Sequence, residues 1–149
     1  MSIIRVTKEF SFEMAHALNN YDGPCRNIHG HSYKLFVTVI GKPIQDDSHP
    51  KLGMLIDFGD LKKLVYKKIV SVFDHAFVLH KDAGITCTEQ IHEMFTNTLY
   101  VNYQPTCENL AIDIATRIKR ELPEQCKLFS IKLYETATSY AEWFSTDNE

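Results

Sequence analysis

The chain lacks the features that mark several large classes of protein. Its 149 residues carry a formal net charge of −3, so no excess of positive charge indicates a nucleic-acid partner or an anionic membrane surface. No hydrophobic run approaches the length of a transmembrane helix, and the longest strand-like run covers only residues 35–40. A basic region followed by a continuous apolar segment, typical of a signal peptide, is also missing. We therefore expect a cytoplasmic protein with no nucleic-acid or membrane partner.

Cysteines are few and scattered, and the sequence has no internal repeat or low-complexity segment. The four cysteines are Cys25, Cys87, Cys107 and Cys126. Because no export signal is seen, we expect reduced thiols rather than disulfides, and inert buried thiols at the last three positions. The length and the uniform composition predict a single domain over residues 1–149.

Hydrophobic periodicity predicts six regular elements. They are strands at 3–14 and 29–41, helices at 58–73 and 107–121, and strands at 127–135 and 139–145. The residues between the first two strands, 17–28, are rich in Asn, Asp and Gly and are typical of a loop. The stretch 88–99 is compatible with a short further helix. The order ββααββ predicts an α+β fold, with an antiparallel sheet and two helices on one face.

Three histidines and a cysteine within sixteen positions form the strongest motif. His29 and His31 are two residues apart, so on a strand both rings project from one face, and His16 could reach them from the neighbouring strand. Three imidazoles suit Zn²⁺ with an open fourth position. The residues after His31 include no early carboxylate, which argues against a cupin-type iron oxygenase. Cys25 is either a reactive thiol beside the metal, as in an enzyme, or the fourth ligand of a structural site.

Further polar residues stand at the predicted ends of the two helices. Asp57 and Thr106 are plausible N-caps, and Glu108 suits the positive end of the helix dipole. Asp74 and His75 follow the first helix. A carboxylate that orients an imidazole makes a general base, although an adjacent pair is also common on ordinary surfaces.

Glu135 stands at the end of an otherwise apolar strand. The alternation puts it on the same face as Phe129, Ile131 and Leu133, so it points toward the core and requires a partner. One partner is a ligand with two adjacent N–H donors, such as the edge of a pterin ring, which a carboxylate can accept in a bidentate fork. The other is an internal pair with Lys or Arg.

Together, the motifs resemble the 6-pyruvoyltetrahydropterin synthase / 6-carboxytetrahydropterin synthase family over residues 3–145. The segments that carry the resemblance are 12–16, 25–31, 56–62, 73–75, 105–109 and 134–136. The resemblance implies a tunnelling fold (T-fold), in which ββααββ subunits form trimers that close a barrel. It also implies a homohexamer made of two trimers, with active sites at the subunit interfaces.

The resemblance further implies a role for each candidate residue. The zinc ligands would be His16, His29 and His31, and the catalytic residues would be Cys25, Asp74 and His75. Glu135 would anchor the pterin ring, and Thr106 and Glu108 would be supporting residues of the pocket. Compact bacterial members of the family are shorter, so we interpret the segments 42–53 and 78–104 as insertions. The second lies between His75 and the Thr106 motif, where it could reshape the pocket mouth or the assembly.

Three residues separate Cys25 from His29, as in the bacterial carboxy enzymes of the family, whereas the eukaryotic pyruvoyl enzymes have a longer gap. The resemblance thus implies conversion of 7,8-dihydroneopterin triphosphate to 6-carboxytetrahydropterin, acetaldehyde and triphosphate, on the route to queuosine. Three alternatives stay open: the pyruvoyl product, a zinc hydratase or hydrolase that uses no pterin, and a non-enzymatic protein with a structural Cys-His₃ site.

Overall fold

The computed structural model describes residues 2–83 and 88–149, which form a six-stranded sheet and four α-helices. The strands are β1 (Ile4–His16), β2 (His29–Gly41), β3 (Ala76–His80), β4 (Thr98–Val101), β5 (Cys126–Thr136) and β6 (Ser139–Phe144). The helices are α1 (Phe58–Val65), α2 (Ser71–Phe73), α3 (Thr88–Met94) and α4 (Cys107–Lys119). A π-helical turn, Tyr66–Val70, joins α1 to α2, which confirms the predicted helix at 58–73. Cys87 lies outside the described residues.

The strand order across the sheet is β4-β3-β1-β2-β5-β6. β1, β2, β5 and β6 pair antiparallel with one another, as the sequence predicts. β3 and β4 extend the sheet beside β1 in parallel and are absent from the predicted order. β3 has four consecutive buried residues, Ala76 to Leu79, so it lacks the alternation that identifies a half-exposed strand. The α+β fold is thus confirmed, with two short parallel strands added to the antiparallel ones.

One apolar core lies between the sheet and α1 and α4, which confirms that the two main helices cover one face. The helices contribute buried residues including Leu61, Val65, Leu110 and Ile114, and the strands contribute Phe12, Leu35, Val37 and Leu133. Alternate residues of β1, such as Ser11 and Glu13, are exposed on the opposite face. β1 and β2 therefore carry apolar side chains toward the helices and polar ones away from them.

A β-bulge in β5 changes the sheet face on which one residue lies. The register of β2 against β5 shifts between Thr38 and Val39, where Ser130 and then Leu128 are the partners. The extra residue on β5 is Phe129, which packs against Arg5 instead of facing the core. The prediction that Phe129 shares the face of Ile131 is wrong, because a bulge reverses the alternation and leaves no signal in the hydrophobic pattern.

Both predicted N-caps are present. The Asp57 carboxylate accepts the backbone N–H of Gly59 at 2.7 Å, and the Thr106 hydroxyl accepts that of Asn109 at 3.3 Å. These caps fix where α1 and α4 begin, because they satisfy N–H groups that have no partner inside the helix. Within the described residues, no helix is both long and apolar enough to span a membrane.

Candidate active and metal site

Antiparallel pairing of β1 with β2 brings the three histidines of the motif together. His16 lies directly opposite His29, and Met14 lies opposite His31. One ring nitrogen from each histidine lies within 4.8 Å of the other two, and the Nε2 atoms of His16 and His29 are 2.9 Å apart. The cluster thus has the size at which three imidazoles share a single metal ion.

Backbone carbonyls fix the orientation of two of these rings. The Nδ1 of His16 donates to the carbonyl of Pro105 at 2.7 Å, and the Nδ1 of His29 donates to that of Asn27 at 2.7 Å. Because a carbonyl only accepts, both rings carry their proton on Nδ1 and point the Nε2 lone pair into the cluster. The Nε2 of His31 is buried and has no hydrogen-bond partner among the described residues. These donors fit a metal ion.

Burial keeps His16 neutral. Its side chain is 1% exposed, and the loss of solvation lowers its pKa from 6.5 to about 4, with the neighbouring His29 and His31 acting in the same direction. A neutral imidazole can bind a metal at physiological pH without first losing a proton. Imidazole suits zinc, copper, iron and nickel alike, so the three histidines could hold any of these metals through their ring nitrogens.

A cavity of about 280 Å³ adjoins the cluster, and most of the other candidate residues line it. It is lined by His16, Cys25, Thr106, Glu108 and Glu135. The residues come from β1, the 17–28 loop, the first turn of α4 and the end of β5, so they converge only in the folded chain. The arrangement offers a thiol and a carboxylate beside a histidine of the cluster.

Glu135 faces the histidine cluster. Its Oε1 lies 3.7 Å from the Nε2 of His31, and the side chain is 25% exposed. Within the described residues, no Lys or Arg lies within ion-pair distance of this carboxylate. The internal pair with a cation, which the sequence left open, is therefore not formed in the described part of the chain, where the carboxylate can accept a ligand.

Two residues of this region were missed by the sequence reasoning. Tyr33 lies two positions beyond His31 on the same strand face, and its buried hydroxyl has no partner among the described residues. Cys107 lines the cavity, where burial and the charge of Glu135 raise the pKa of its thiol to about 11. The period-2 spacing after His31 could have identified Tyr33. No alternation in the sequence marks Cys107 as a pocket residue, because it lies directly after the Thr106 cap and not on a strand.

Asp74 and His75 form a second polar group. The Oδ2 of Asp74 is 3.0 Å from the Nδ1 of His75, and its Oδ1 accepts the backbone N–H of Glu13 at 2.9 Å. That hydrogen bond, together with the contact to His75, lowers the pKa of the Asp74 carboxyl. His75 has a φ of +58°, which a non-glycine residue rarely adopts and which often marks a functional position.

This pair does not join Cys25 within one chain. His75 lines a separate cavity of about 500 Å³ together with Glu13, His31 and Ser32. The side chains of Glu13 and Ser32 belong to the sheet face that is turned away from the helices. Of the three residues that the resemblance treats as one catalytic group, Cys25 and His75 thus line two different cavities of the folded chain.

Comparisons with known proteins point to one family. The family described as 6-pyruvoyl tetrahydropterin synthase matches residues 5–145. A relative from Haemophilus influenzae, named 6-carboxy-5,6,7,8-tetrahydropterin synthase, is 38% identical over 143 residues, which cover 95% of this chain and 99% of the relative. A relative of the same name from Rickettsia typhi is 32% identical over 142 residues, covering 94% and 99%.

Solved structures share the fold. An uncharacterized protein from Wolinella succinogenes superimposes with a TM-score of 0.75 at 21% identity, covering 97% of this chain and 99% of that one. The 6-pyruvoyl tetrahydropterin synthase of Plasmodium vivax superimposes with a TM-score of 0.73 at 19% identity, covering 96% and 98%. The predicted T-fold is therefore confirmed, and with the match over residues 5–145 the chain belongs to the 6-pyruvoyl tetrahydropterin synthase family.

Proposed function

We propose that the protein is a zinc-dependent 6-carboxy-5,6,7,8-tetrahydropterin synthase of queuosine and 7-deazaguanine biosynthesis. It would convert 7,8-dihydroneopterin triphosphate to 6-carboxytetrahydropterin, acetaldehyde and triphosphate. The observation that carries the proposal is the single cavity that holds Cys25 and Glu135 beside the histidine cluster. The names of the relatives from Haemophilus influenzae and Rickettsia typhi support the carboxy product.

His16, His29 and His31 would hold the zinc ion. Their fixed tautomers and the partnerless Nε2 of His31 support this assignment. When bound there, zinc supplies a Lewis acid that lowers the pKa of substrate hydroxyls and stabilises developing oxyanion charge.

Glu135 would anchor the substrate ring. A carboxylate without a cationic partner can accept two adjacent N–H groups of a pterin, and charge-assisted bonds of this kind are roughly twice as strong as neutral ones. Holding the ring at Glu135 sets the side-chain carbons of the substrate beside Cys25 and His16, where proximity favours reaction. Thr106 and Glu108 would complete the wall of the pocket.

Cys25 and His75 would move protons at the substrate side chain. Cys25 would act as a thiolate beside the metal site, and Asp74 would hold the Nδ1–H of His75 so that its Nε2 is free to accept or donate. The separation of Asp74 and His75 from the Cys25 cavity supports a site completed by a neighbouring copy of the chain. Each active site would then combine residues of two subunits, within the homohexamer that the resemblance implies.

Free backbone edges support such an assembly. β3 covers β1 only at Met14–His16, so the edge of residues 4–12 carries unpaired backbone groups within the described chain. β6 ends the sheet on its other side. Unpaired strand edges are templates for pairing with another chain, and a closed barrel of several subunits removes them. The protein would work in the cytoplasm, without a nucleic-acid or membrane partner.

A product assay tests the proposal. The zinc-loaded protein is incubated with 7,8-dihydroneopterin triphosphate, and the products are identified by mass spectrometry. We expect 6-carboxytetrahydropterin together with acetaldehyde. A pyruvoyl product in its place would identify the protein as a 6-pyruvoyltetrahydropterin synthase. No turnover, together with loss of zinc on replacing Cys25, would favour a structural Cys-His₃ site instead.

A further inference from the structure

The segment just before α4 makes contact with two separate parts of the site. The carbonyl of Pro105 accepts the Nδ1–H of His16 at 2.7 Å. The preceding residue, Gln104, reaches in another direction with its side chain. Its Oε1 accepts the backbone N–H of Asn19 at 3.0 Å, and its Nε2 donates to the backbone carbonyl of Asn19 at 2.6 Å. One side-chain amide therefore satisfies both backbone groups of Asn19, as a neighbouring strand would.

Asn19 stands at the start of the loop that carries Cys25. The adjacent Leu18 donates its backbone N–H to the carbonyl of Cys25 at 3.0 Å, which closes the loop upon its own base. A further hydrogen bond ties Asn19 to the chain, from its Nδ2 to the carbonyl of Asp82 at 3.2 Å, and this one is exposed. Among the described residues, the amide of Gln104 thus makes the two partly buried tethers of a loop that otherwise bonds largely to itself.

Gln104 is itself held firmly at the other end. Its carbonyl accepts the side-chain Nδ2–H of Asn109 at 2.9 Å. Asn109 lies in the first turn of α4, where its backbone N–H meets the Thr106 cap. Asn19 is therefore held, through Gln104, against the start of α4. The next residue, Pro105, orients His16 through its carbonyl.

We propose that Gln104 is a positioning residue, which sets the place of the Cys25 thiol relative to the histidine cluster by clamping Asn19. Gln104 does not line the cavity that holds Cys25 and Glu135, so it acts through the loop rather than on a ligand. The kinetic part of this inference rests on the proposed function, in which Cys25 moves protons. The geometric part, that the clamp holds the loop, does not depend on it.

The test replaces Gln104 with Met, which has a similar length but cannot make either hydrogen bond. The matched control is Gln125→Met, because Gln125 is exposed and makes no side-chain hydrogen bond in the described chain. Iodoacetamide labelling of the zinc-loaded protein is followed site by site with mass spectrometry. We expect Cys25 to react roughly fivefold faster in Gln104→Met, since lost tethers favour local opening of the loop. The rate at the buried Cys126, which lines no part of the Cys25 cavity, should stay unchanged.

Two further readouts separate positioning from general weakening. We expect kcat to fall about tenfold in Gln104→Met while KM stays within about twofold, because the thiol is displaced but Glu135 is not. Bound metal should stay unchanged, because His16 is oriented by the backbone of Pro105 and not by the side chain of Gln104.

An unchanged labelling rate at Cys25 would overturn the clamp. Equal acceleration at Cys25 and Cys126 would also overturn it, because it would indicate loosening of the whole fold. Loss of bound metal would overturn it as well, because the effect would then run through His16. If the wild-type protein fails to turn over 7,8-dihydroneopterin triphosphate, the proposed function fails, and the labelling experiment still decides whether the clamp exists.

Discussion

Burial and hydrogen bonds to neighbouring carbonyls set the protonation and orientation of the histidine side chains in the cluster. His16 is buried and neutral, and a backbone carbonyl holds its Nδ1 proton, as another does for His29. A histidine whose pKa is lowered by folding binds a proton more readily in the unfolded chain. Its contribution to stability is therefore present above the unfolded pKa and is lost as the pH falls toward the folded one.

We predict that the metal-free protein loses stability as the pH falls from 6.5 to about 4, the window set by the shift of His16. The shift corresponds to a loss on the order of 3 kcal/mol in the free energy of unfolding. Urea unfolding at the two ends of the window measures it. The variant His16→Asn should lose less on acidification, and equal losses in both proteins would contradict the prediction.

A second prediction at the residue scale concerns Cys25. We expect Cys25→Ala to keep its bound metal and to lose at least about a hundredfold in turnover, as removal of a proton-transfer group does. Metal content by elemental analysis and the steady-state rate measure the two effects. The control is Cys126→Ala, since Cys126 is buried at the far end of β5 and lines no part of the pocket. Loss of metal in Cys25→Ala alone would make Cys25 a ligand.

Glu135 supports a third prediction. Glu135→Gln keeps the shape of the side chain but replaces one acceptor with a donor, so a pterin would lose a charge-assisted pair. We expect a cost of about 2 kcal/mol, which is roughly thirtyfold in kcat/KM. Titration with a pterin measures the binding loss directly. Unchanged pterin affinity would remove Glu135 from the ring-binding role and favour a hydratase or hydrolase.

At the scale of elements, the site depends on where strands and helices end. The β1–β2 ladder sets His16 against His29, and the start of α4 supplies Thr106 and Glu108 to the pocket. β3 joins β1 at Met14–His16, which ties the Asp74–His75 turn to Glu13. Each of these contacts lies at the end of an element, so local caps and registers control the geometry of the site.

The cap of α4 gives a prediction at this scale. Thr106→Ala removes the acceptor for the N–H of Asn109 and should destabilise the protein by about 1 kcal/mol. For a chain of this size, that corresponds to about 3 °C in the melting temperature. Thr116→Ala, on the exposed side of the same helix, is the control and should change the melting temperature by less. Thermal unfolding followed by circular dichroism compares the two variants.

At the scale of the whole molecule, the two cavities divide the proposed catalytic group. Cys25 and Glu135 face one cavity, and His75 faces the other. The free edges of β1 and β6 offer a way for copies to pair. Both features are what the proposed sharing of an active site between subunits requires.

Mixed assemblies test the sharing of sites. Cys25→Ala and His75→Ala should each be inactive alone. When the two chains are co-expressed and assemble at random, about a quarter of the shared sites would combine an intact Cys25 with an intact His75. We expect recovery of activity near that fraction of the wild-type rate. No recovery in verified mixed oligomers would show that each chain supplies its own complete site.

Much of the fold was readable from the sequence, and the exceptions have physical causes. The strands at 29–41 and 139–145 and the cap at Asp57 followed from alternation and turn chemistry. β3 was not predicted because it is buried on both faces and therefore shows no alternation. Phe129 was assigned to the wrong face because the extra residue of a bulge reverses the in–out alternation along the strand. That the segments 42–53 and 78–104 are insertions stays a prediction.

The sequence by itself determined the chemistry that this protein can offer. The spacing of His29 and His31 on a strand and the polar end of the last long strand at Glu135 are local facts, fixed by the period of a strand. Only the tertiary structure decided which residues meet. Strand pairing brought His16 to His29, two hydrogen bonds from Gln104 tethered the loop of Cys25, and His75 came to line a different cavity from Cys25. Contacts between distant segments depend on packing and register, which no local pattern encodes.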